Sequence, residues 1–213
     1  MEQNTNSHYD VIICGAGPAG TTAALGLKGA GLNVAMIDSA SFPRDKVCGD
    51  AIPARAMDTL HKISPEFSDS FNGFDRQLLT RHTDVVYNGK TLQLHWKIPA
   101  YTCARVDFDN KLFELVKKHT DTVIFEEVHI QTVRAGNEGY VLTDKNGNSY
   151  TARLVIGADG AQSVTAKQLA ARVLDREHHI GAVRAYYRGI ENLCIDKTEM
   201  YMEKSLLPGY FWI

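Results

Sequence analysis

Between two short apolar runs, Val11-Ile12-Ile13-Cys14 and Val34-Ala35-Met36-Ile37, the chain carries the cluster Gly15-Ala16-Gly17-Pro18-Ala19-Gly20 and then a stretch of small and apolar residues. This order constrains the fold more than any other feature, because it spells strand, tight turn, helix and strand in a single βαβ unit. Each glycine meets a separate demand. Gly15 permits the turn out of the strand, Gly17 lets backbone approach a pyrophosphate, and Gly20 lets helix and strand pack closely. Pro18 and Ala19 open the helix, where the missing proline N–H costs nothing and the remaining N–H groups face the phosphates. Asp38 stands 18 residues beyond Gly20, at the end of the second run, where a carboxylate accepts hydrogen bonds from a ribose diol; Ser39 follows it in the same loop. A glycine triplet alone also fits a structural turn. With both strands, the helix and the carboxylate in register, the segment reads as a dinucleotide site, as ready for NAD as for FAD.

Composition limits the partners. At 213 residues, with 44% hydrophobic and 23% charged residues, the chain has room for one large domain or a domain and part of another. A net charge of -2 and the absence of a Lys/Arg run with interleaved aromatics argue against nucleic acid. Cys14, Cys48, Cys103 and Cys194 lie far apart without CxxC spacing, which suggests neither a zinc site nor a disulfide framework and fits a reducing cytosol. The polar lead MEQNTNSH, followed by an apolar run only a strand long, reads as neither signal peptide nor membrane span, and the expected location is cytoplasmic.

Along the chain, Gly20 to Gly31 reads as the buried helix, with Gly31 as its C-terminal cap and with Gly26 and Gly29 tolerated for close packing. The loop after Asp38 is dense in polar groups. Arg44 and Lys46 follow the ribose carboxylate closely enough to contact cofactor phosphate, the alternative being a solvated connection; Pro53 to Ile63 reads as a helix. Asp84 to Tyr87 and Thr91 to Trp96 around Asn88-Gly89 form a hairpin that interrupts βαβ repetition. From Tyr101 to Lys118, the apolar residues Phe108, Leu112, Leu115 and Val116 fall at helical spacing behind Asp107 or Asp109 as cap. Arg105 just before them is either a surface charge or a phosphate or flavin contact. Four strand-like runs, Thr122–Glu127, His129–Arg134, Tyr140–Thr143 and Tyr150–Ile156, read as an antiparallel meander.

The last of those runs enters a second cluster, Gly157-Ala158-Asp159-Gly160, ahead of a helical stretch, SVTAKQLAAR. A carboxylate and pliant backbone at the carboxyl end of a strand stand where open α/β sheets bind ligands, although a turn without ligand has the same pattern. Beyond Arg172, strands are expected at His179–Arg188, Thr198–Met202 and in the closing GYFWI. The pair His178-His179 has no further His, Cys or Glu at ligand spacing, so no metal site is expected. A chain stopping at Ile213 within an apolar run reads as a fragment of a longer protein.

With both clusters placed, the sequence resembles the FAD-dependent geranylgeranyl reductase family, within the larger group of flavoproteins related to p-hydroxybenzoate hydroxylase. The resemblance covers the whole chain and rests on Gly15–Gly20 with Asp38, on Phe42-Pro43-Arg44-Asp45-Lys46-Val47-Cys48-Gly49-Asp50, on Arg105 with Asp109 and Leu112, and on Gly157-Ala158-Asp159-Gly160 with Ser163. The Lys46–Gly49 loop and the closing Pro208–Ile213 look more like the reductases. The resemblance implies a Rossmann-like FAD/NAD(P)-binding α/β domain with inserted antiparallel strands, at 7–73 and 101–172. Parts of a mixed β-sheet substrate domain would fall at 74–100 and 173–213. It implies FAD held by Gly15, Gly17, Pro18, Ala19, Gly20, Asp38, Ser39, Arg44, Arg105, Asp159 and Gly160, with Cys48 and Gly49 at the isoalloxazine edge and NAD(P)H as a possible donor. The implied reaction is reduction of a prenyl carbon-carbon double bond, on a lipid-like substrate and with peripheral membrane contact. An aromatic monooxygenase and a non-catalytic nucleotide-binding module are the rivals. Cys48 is a weak candidate for the acid. Asp38 stands where the family commonly has glutamate, which keeps the ribose hydrogen bonds but shortens their reach, and the family's further Gly-Asp motif has no counterpart before residue 213.

Overall fold

The computed structural model of the protein describes residues 8–173, 175, 177–178 and 180–213; residues 1–7 and His179 of the histidine pair lie outside these. In chain order the elements are β1 (His8–Cys14), α1 (Pro18–Gly26), β2 (Val34–Ile37), β3 (Ala51–Ile52), α2 (Ala54–Ile63), α3 (Pro65–Asp69), β4 (Gln77–Tyr87) and β5 (Lys90–Cys103). There follow α4 (Arg105–His119), β6 (Val123–Phe125), β7 (Ile130–Gly136), β8 (Gly139–Asp144), β9 (Ser149–Gly157), α5 (Val164–Leu169), β10 (Lys197–Tyr201) and β11 (Phe211–Trp212). They form two compact units, residues 1–46 with 106–181 and residues 47–105 with 182–213.

The first unit is built on a six-stranded sheet in the order β6-β2-β1-β9-β8-β7. β6, β2, β1 and β9 run parallel, while β8 pairs antiparallel with β9 and β7 antiparallel with β8. A parallel strand with both faces covered is apolar throughout rather than alternating, and Val11 to Cys14 are all buried, Ile12 and Ile13 completely. Full burial of such a side chain is worth roughly 1.5–3 kcal/mol, so this short run anchors the unit. Cys14 pairs with Ile37 on one side and Gly157 on the other, so the two glycine clusters leave the sheet at the same level, from the carboxyl ends of β1 and β9.

Several local expectations are corrected. α1 stops at Gly26, five residues short of the expected glycine cap, because Gly29 and Gly31 adopt left-handed backbone (φ 75° and 70°) in the link to β2. A Cβ on Gly26 or Gly29 would meet nothing within 4 Å, so close packing does not explain them. β6 is not part of an antiparallel meander: it follows α4 as a crossover strand and pairs parallel with β2. α4 begins at Arg105, which puts Asp107 inside its first turn and Asp109 one turn further in, so neither residue is its cap. The expected apolar stripe Phe108, Leu112, Leu115 and Val116 is buried.

The second unit holds a five-stranded sheet, β11-β10-β4-β5-β3. The hairpin of β4 and β5 turns on Asn88 and Gly89, both at positive φ (50° and 69°), as the tight turn matching strand twist requires. β3 pairs with β5, so residues 47–73 belong with the hairpin's unit and not with the nucleotide-binding part as the division at residue 73 had it. The expected strand His179–Arg188 is absent from its described residues, 180–188; pairing in this sheet goes instead to β10, parallel to β4, and to β11. One face of the sheet sets Leu92 opposite Val85 and Leu94 opposite Thr83, whose hydroxyl is hydrogen-bonded to Thr198 and accepts from Trp96 Nε1; the other carries Asp84, Lys197, Glu199 and Tyr201 in one hydrogen-bonded network.

Candidate functional site

The first glycine turn is closed by its neighbours. Gly15 sits at φ +99°, its N–H donates to the Ile37 carbonyl at 2.7 Å, and a Cβ on it would lie 2.3 Å from the Ala158 carbonyl oxygen. The strand-to-helix turn and the Gly157–Gly160 turn are therefore pressed together, and Ala158 N–H donates to the Cys14 carbonyl at 2.8 Å. A Cβ on Gly20 would fall 1.8 Å from the Gly15 carbonyl oxygen and 3.2 Å from Ile13, which is the close helix–strand approach. Gly17 differs from both. A Cβ there would meet only Arg44 Nη2, at 3.3 Å, so the space above Gly17 is otherwise open. Gly17 is the N-cap of α1 with no side-chain capping bond, and Pro18 and Ala19 form its first turn. Such a helix start offers unpaired N–H groups and the positive end of the helix dipole to an anion.

Asp38 ends β2 beside this turn. Its Oδ2 accepts from Ala16 N–H at 2.7 Å and its Oδ1 from Ala40 N–H at 2.9 Å, so the carboxylate fixes both the glycine loop and the loop that leads through exposed Ser39. A carboxylate offers about four lone-pair sites, so these two bonds leave acceptor capacity for a diol. Arg44 is returned to the same turn. Its Nη1 donates to Asp109 Oδ2 at 3.0 Å, its guanidinium lies 4.8 Å from the Phe42 ring centroid, and its Nη2 is the atom over Gly17.

Asp159 is turned toward its own helix. Oδ1 accepts from Ser163 Oγ at 2.5 Å, and Oδ2 accepts from Thr165 N–H at 3.0 Å and Thr165 Oγ1 at 3.2 Å. With Ser163 Oγ accepting from Ala166 N–H at 2.8 Å, these bonds cap α5 and set the shape of the second turn. Gly160 takes φ +77° in it with open space around. Beneath, Cys14 is buried, and burial pushes its thiol up to about 12, with Thr165's hydrogen bond only partly opposing this.

Thus Gly15, Gly17, Pro18, Ala19, Gly20, Asp38, Ser39, Arg44, Asp159 and Gly160 lie on adjoining turns of the first unit. Cys48, Gly49 and Arg105 belong to the second unit. There Cys48 is a half-buried free thiol, Gly49 is set against the Trp212 indole, 2.8 Å from where its Cβ would be, and Arg105 is the half-buried first residue of α4. Sequence reading missed Asp109 as a partner of Arg44, and it missed Asp50. The latter carboxylate is buried at φ +61°, takes a hydrogen bond from Tyr186 Oη at 2.5 Å and has Arg184 Nη1 3.6 Å from its other oxygen. No local signal marks either pairing, since the partners are 65 and 136 residues apart.

A helix start left open beside Gly17, a guanidinium next to it and a carboxylate at the second strand's end are the features a dinucleotide site uses, and the model of the FAD binding domain family matches residues 8–201. The chain belongs to that family. Among curated relatives, menaquinone reductase of Mycolicibacterium smegmatis is 29% identical over 98% of this chain and 52% of its own length. Digeranylgeranylglycerophospholipid reductase of Haloferax volcanii is 26% identical over 97% of this chain and 50% of its own. The chain thus spans about half the length of these relatives. In fold it is similar to the crystal structure of PqsL, a probable FAD-dependent monooxygenase from Pseudomonas aeruginosa, at TM-score 0.70 and 15% identity over 91% of this chain and 54% of that one. FAD, rather than NAD alone, is the cofactor the family model names, and the Rossmann-like fold expected from the sequence is the one observed. Among the described residues no helix is long and apolar enough to cross a membrane.

Proposed function

We propose that this chain is the FAD-binding part of a flavin-dependent oxidoreductase that reduces carbon-carbon double bonds of a prenyl or isoprenoid substrate. The observation that carries the reading is the likeness, over nearly the whole chain, to relatives named as reductases, one of them of a digeranylgeranyl lipid. Exposed apolar residues of the second unit's sheet support it. Leu92 and Leu94 stand on one side of β5, and with Trp96 and Ile98 further along the strand they are exposed by 36–69%, as suits a hydrocarbon ligand that offers no polar group to recognise.

In this reading Gly17, Pro18, Ala19 and Gly20 hold the FAD pyrophosphate at the start of α1, Arg44 neutralises its charge and Asp38 takes the adenosine ribose. Gly15 and Gly20 keep the turn tight enough for that approach, while Asp159 shapes the neighbouring turn through α5 and Gly160 frees its backbone. FAD held there would supply the hydride chemistry for an alkene, with NAD(P)H or another donor as the source of electrons. Cys48, Gly49 and Arg105 are assigned to the flavin end on resemblance, and the acid that protonates the second alkene carbon is left without a named residue. A lipid-like substrate brings peripheral membrane contact into the proposal.

The test is anaerobic. Full-length protein containing this chain is reduced and mixed with prenyl substrates in the absence of oxygen. Return of the flavin absorbance together with a saturated product supports the reductase. Reoxidation only on admitting air, with a hydroxylated product, refutes it in favour of the monooxygenase.

A further inference from the structure

Arg44 is not simply a cation near the phosphate turn; it is mounted there. Its fork is divided: Nη1 is held by Asp109 Oδ2 at 3.0 Å, and Nη2 is the group nearest to where a Cβ on Gly17 would be, at 3.3 Å. Asp109 is completely buried, whereas Arg44's side chain keeps 18% of its surface exposed. A buried carboxylate is tolerated only when paired, so Asp109 fixes the guanidinium from the core side and leaves its outer edge for a ligand. The plane is set by aromatic rings. Arg44 Cζ lies 4.8 Å over Phe42, and Phe42 stacks on Phe113 at 4.3 Å and 7°. Asp109 and Phe113 are one turn apart on α4, so a single helix face supplies both the charge partner and the base of the stack.

We infer that Asp109, with the Phe42–Phe113 stack, is a positioning residue for FAD: it preorganises the Arg44 guanidinium above Gly17 so that the free edge of its fork receives the pyrophosphate. An arginine fork is selective for phosphate only when its plane and direction are fixed, and fixing them before binding removes an ordering cost from association. The inference rests on the FAD site and not on the reaction, so it stands or falls independently of the reductase reading.

The test is a double-mutant cycle on full-length protein, read as FAD affinity by fluorescence titration, with the thermal midpoint of the apoprotein as a folding control. Asp109→Asn is expected to weaken FAD binding about tenfold, as is Arg44→Gln, the scale of one charge-assisted hydrogen bond. The double variant is expected to bind no worse than Arg44→Gln alone, because Asp109 acts only through Arg44. A merely structural Asp109 would give losses that multiply. Multiplying losses, or unchanged affinity in Asp109→Asn, would overturn the inference. If Asp109→Asn fails to fold, Phe42→Leu takes its place in the cycle: loss of affinity absent from the Arg44→Gln background supports the mount, and independent or absent loss overturns it.

Discussion

At the scale of single residues, the three glycines of the first turn are not equivalent, and each has its own failure. Gly20→Ala places a methyl 1.8 Å from the Gly15 carbonyl oxygen, a backbone atom that cannot swing aside. It is expected to cost about 3 kcal/mol or more, or to abolish folded yield, and denaturant unfolding measures this. Cys14 offers a second check. With its thiol pushed up to about 12, almost none of it is thiolate near neutral pH, so it should resist alkylation while exposed Cys194 reacts; a peptide map after brief iodoacetamide treatment reads the order. The tight turn at Gly15 and the close helix–strand approach at Gly20 were legible in the sequence because a strand–glycine–helix order is local, whereas the press of Gly15 against Ala158 was not. Asp109 was not: its hydrogen bond to Arg44 spans 65 positions, and locally an acidic residue ahead of an apolar helix stripe reads as a cap.

Among the elements, the β8–β9 hairpin depends on a carboxylate. Asp144 is buried, which raises its pKa, but hydrogen bonds from Asn148 and Asn146 and from Tyr150 outweigh this and hold it below the ordinary 3.8. A carboxyl depressed in the folded state adds stability above its unfolded midpoint and loses it as pH falls through the folded one. Asp144→Ala is therefore expected to cost about 2 kcal/mol near neutral pH, the scale of hydrogen bonds to a charged acceptor, and progressively less below pH 3.8; chemical denaturation across pH measures both. Element identity was legible where the pattern was strong, as in the continuous apolar runs of β1 and β2 and the helical spacing of α4. Length and partners were less so. Nothing local to Val123–Phe125 specifies that β6 lies parallel to β2 and not in the meander, because that choice is made by α4 as a crossover. The apolar residues of 180–188 follow no strict alternation, and no strand forms there.

For the molecule as a whole, the chain divides into two units: one carries both glycine turns, the other the five-stranded sheet together with Cys48, Gly49 and Arg105. The cofactor half was legible because phosphate recognition by a helix start has a local sequence signature. The second unit has no comparable signature, since an apolar strand pattern carries no code for a ligand. The measurement that reaches the central claim most directly is the visible flavin spectrum of full-length protein, wild type and Gly17→Val, after equilibration with FAD and gel filtration. A Cβ at Gly17 meets no backbone atom and only the Arg44 guanidinium, at 3.3 Å, so the variant is expected to fold and yet emerge colourless, while wild type retains yellow FAD. Equal flavin content in the two proteins would contradict the assignment of this turn as the pyrophosphate site.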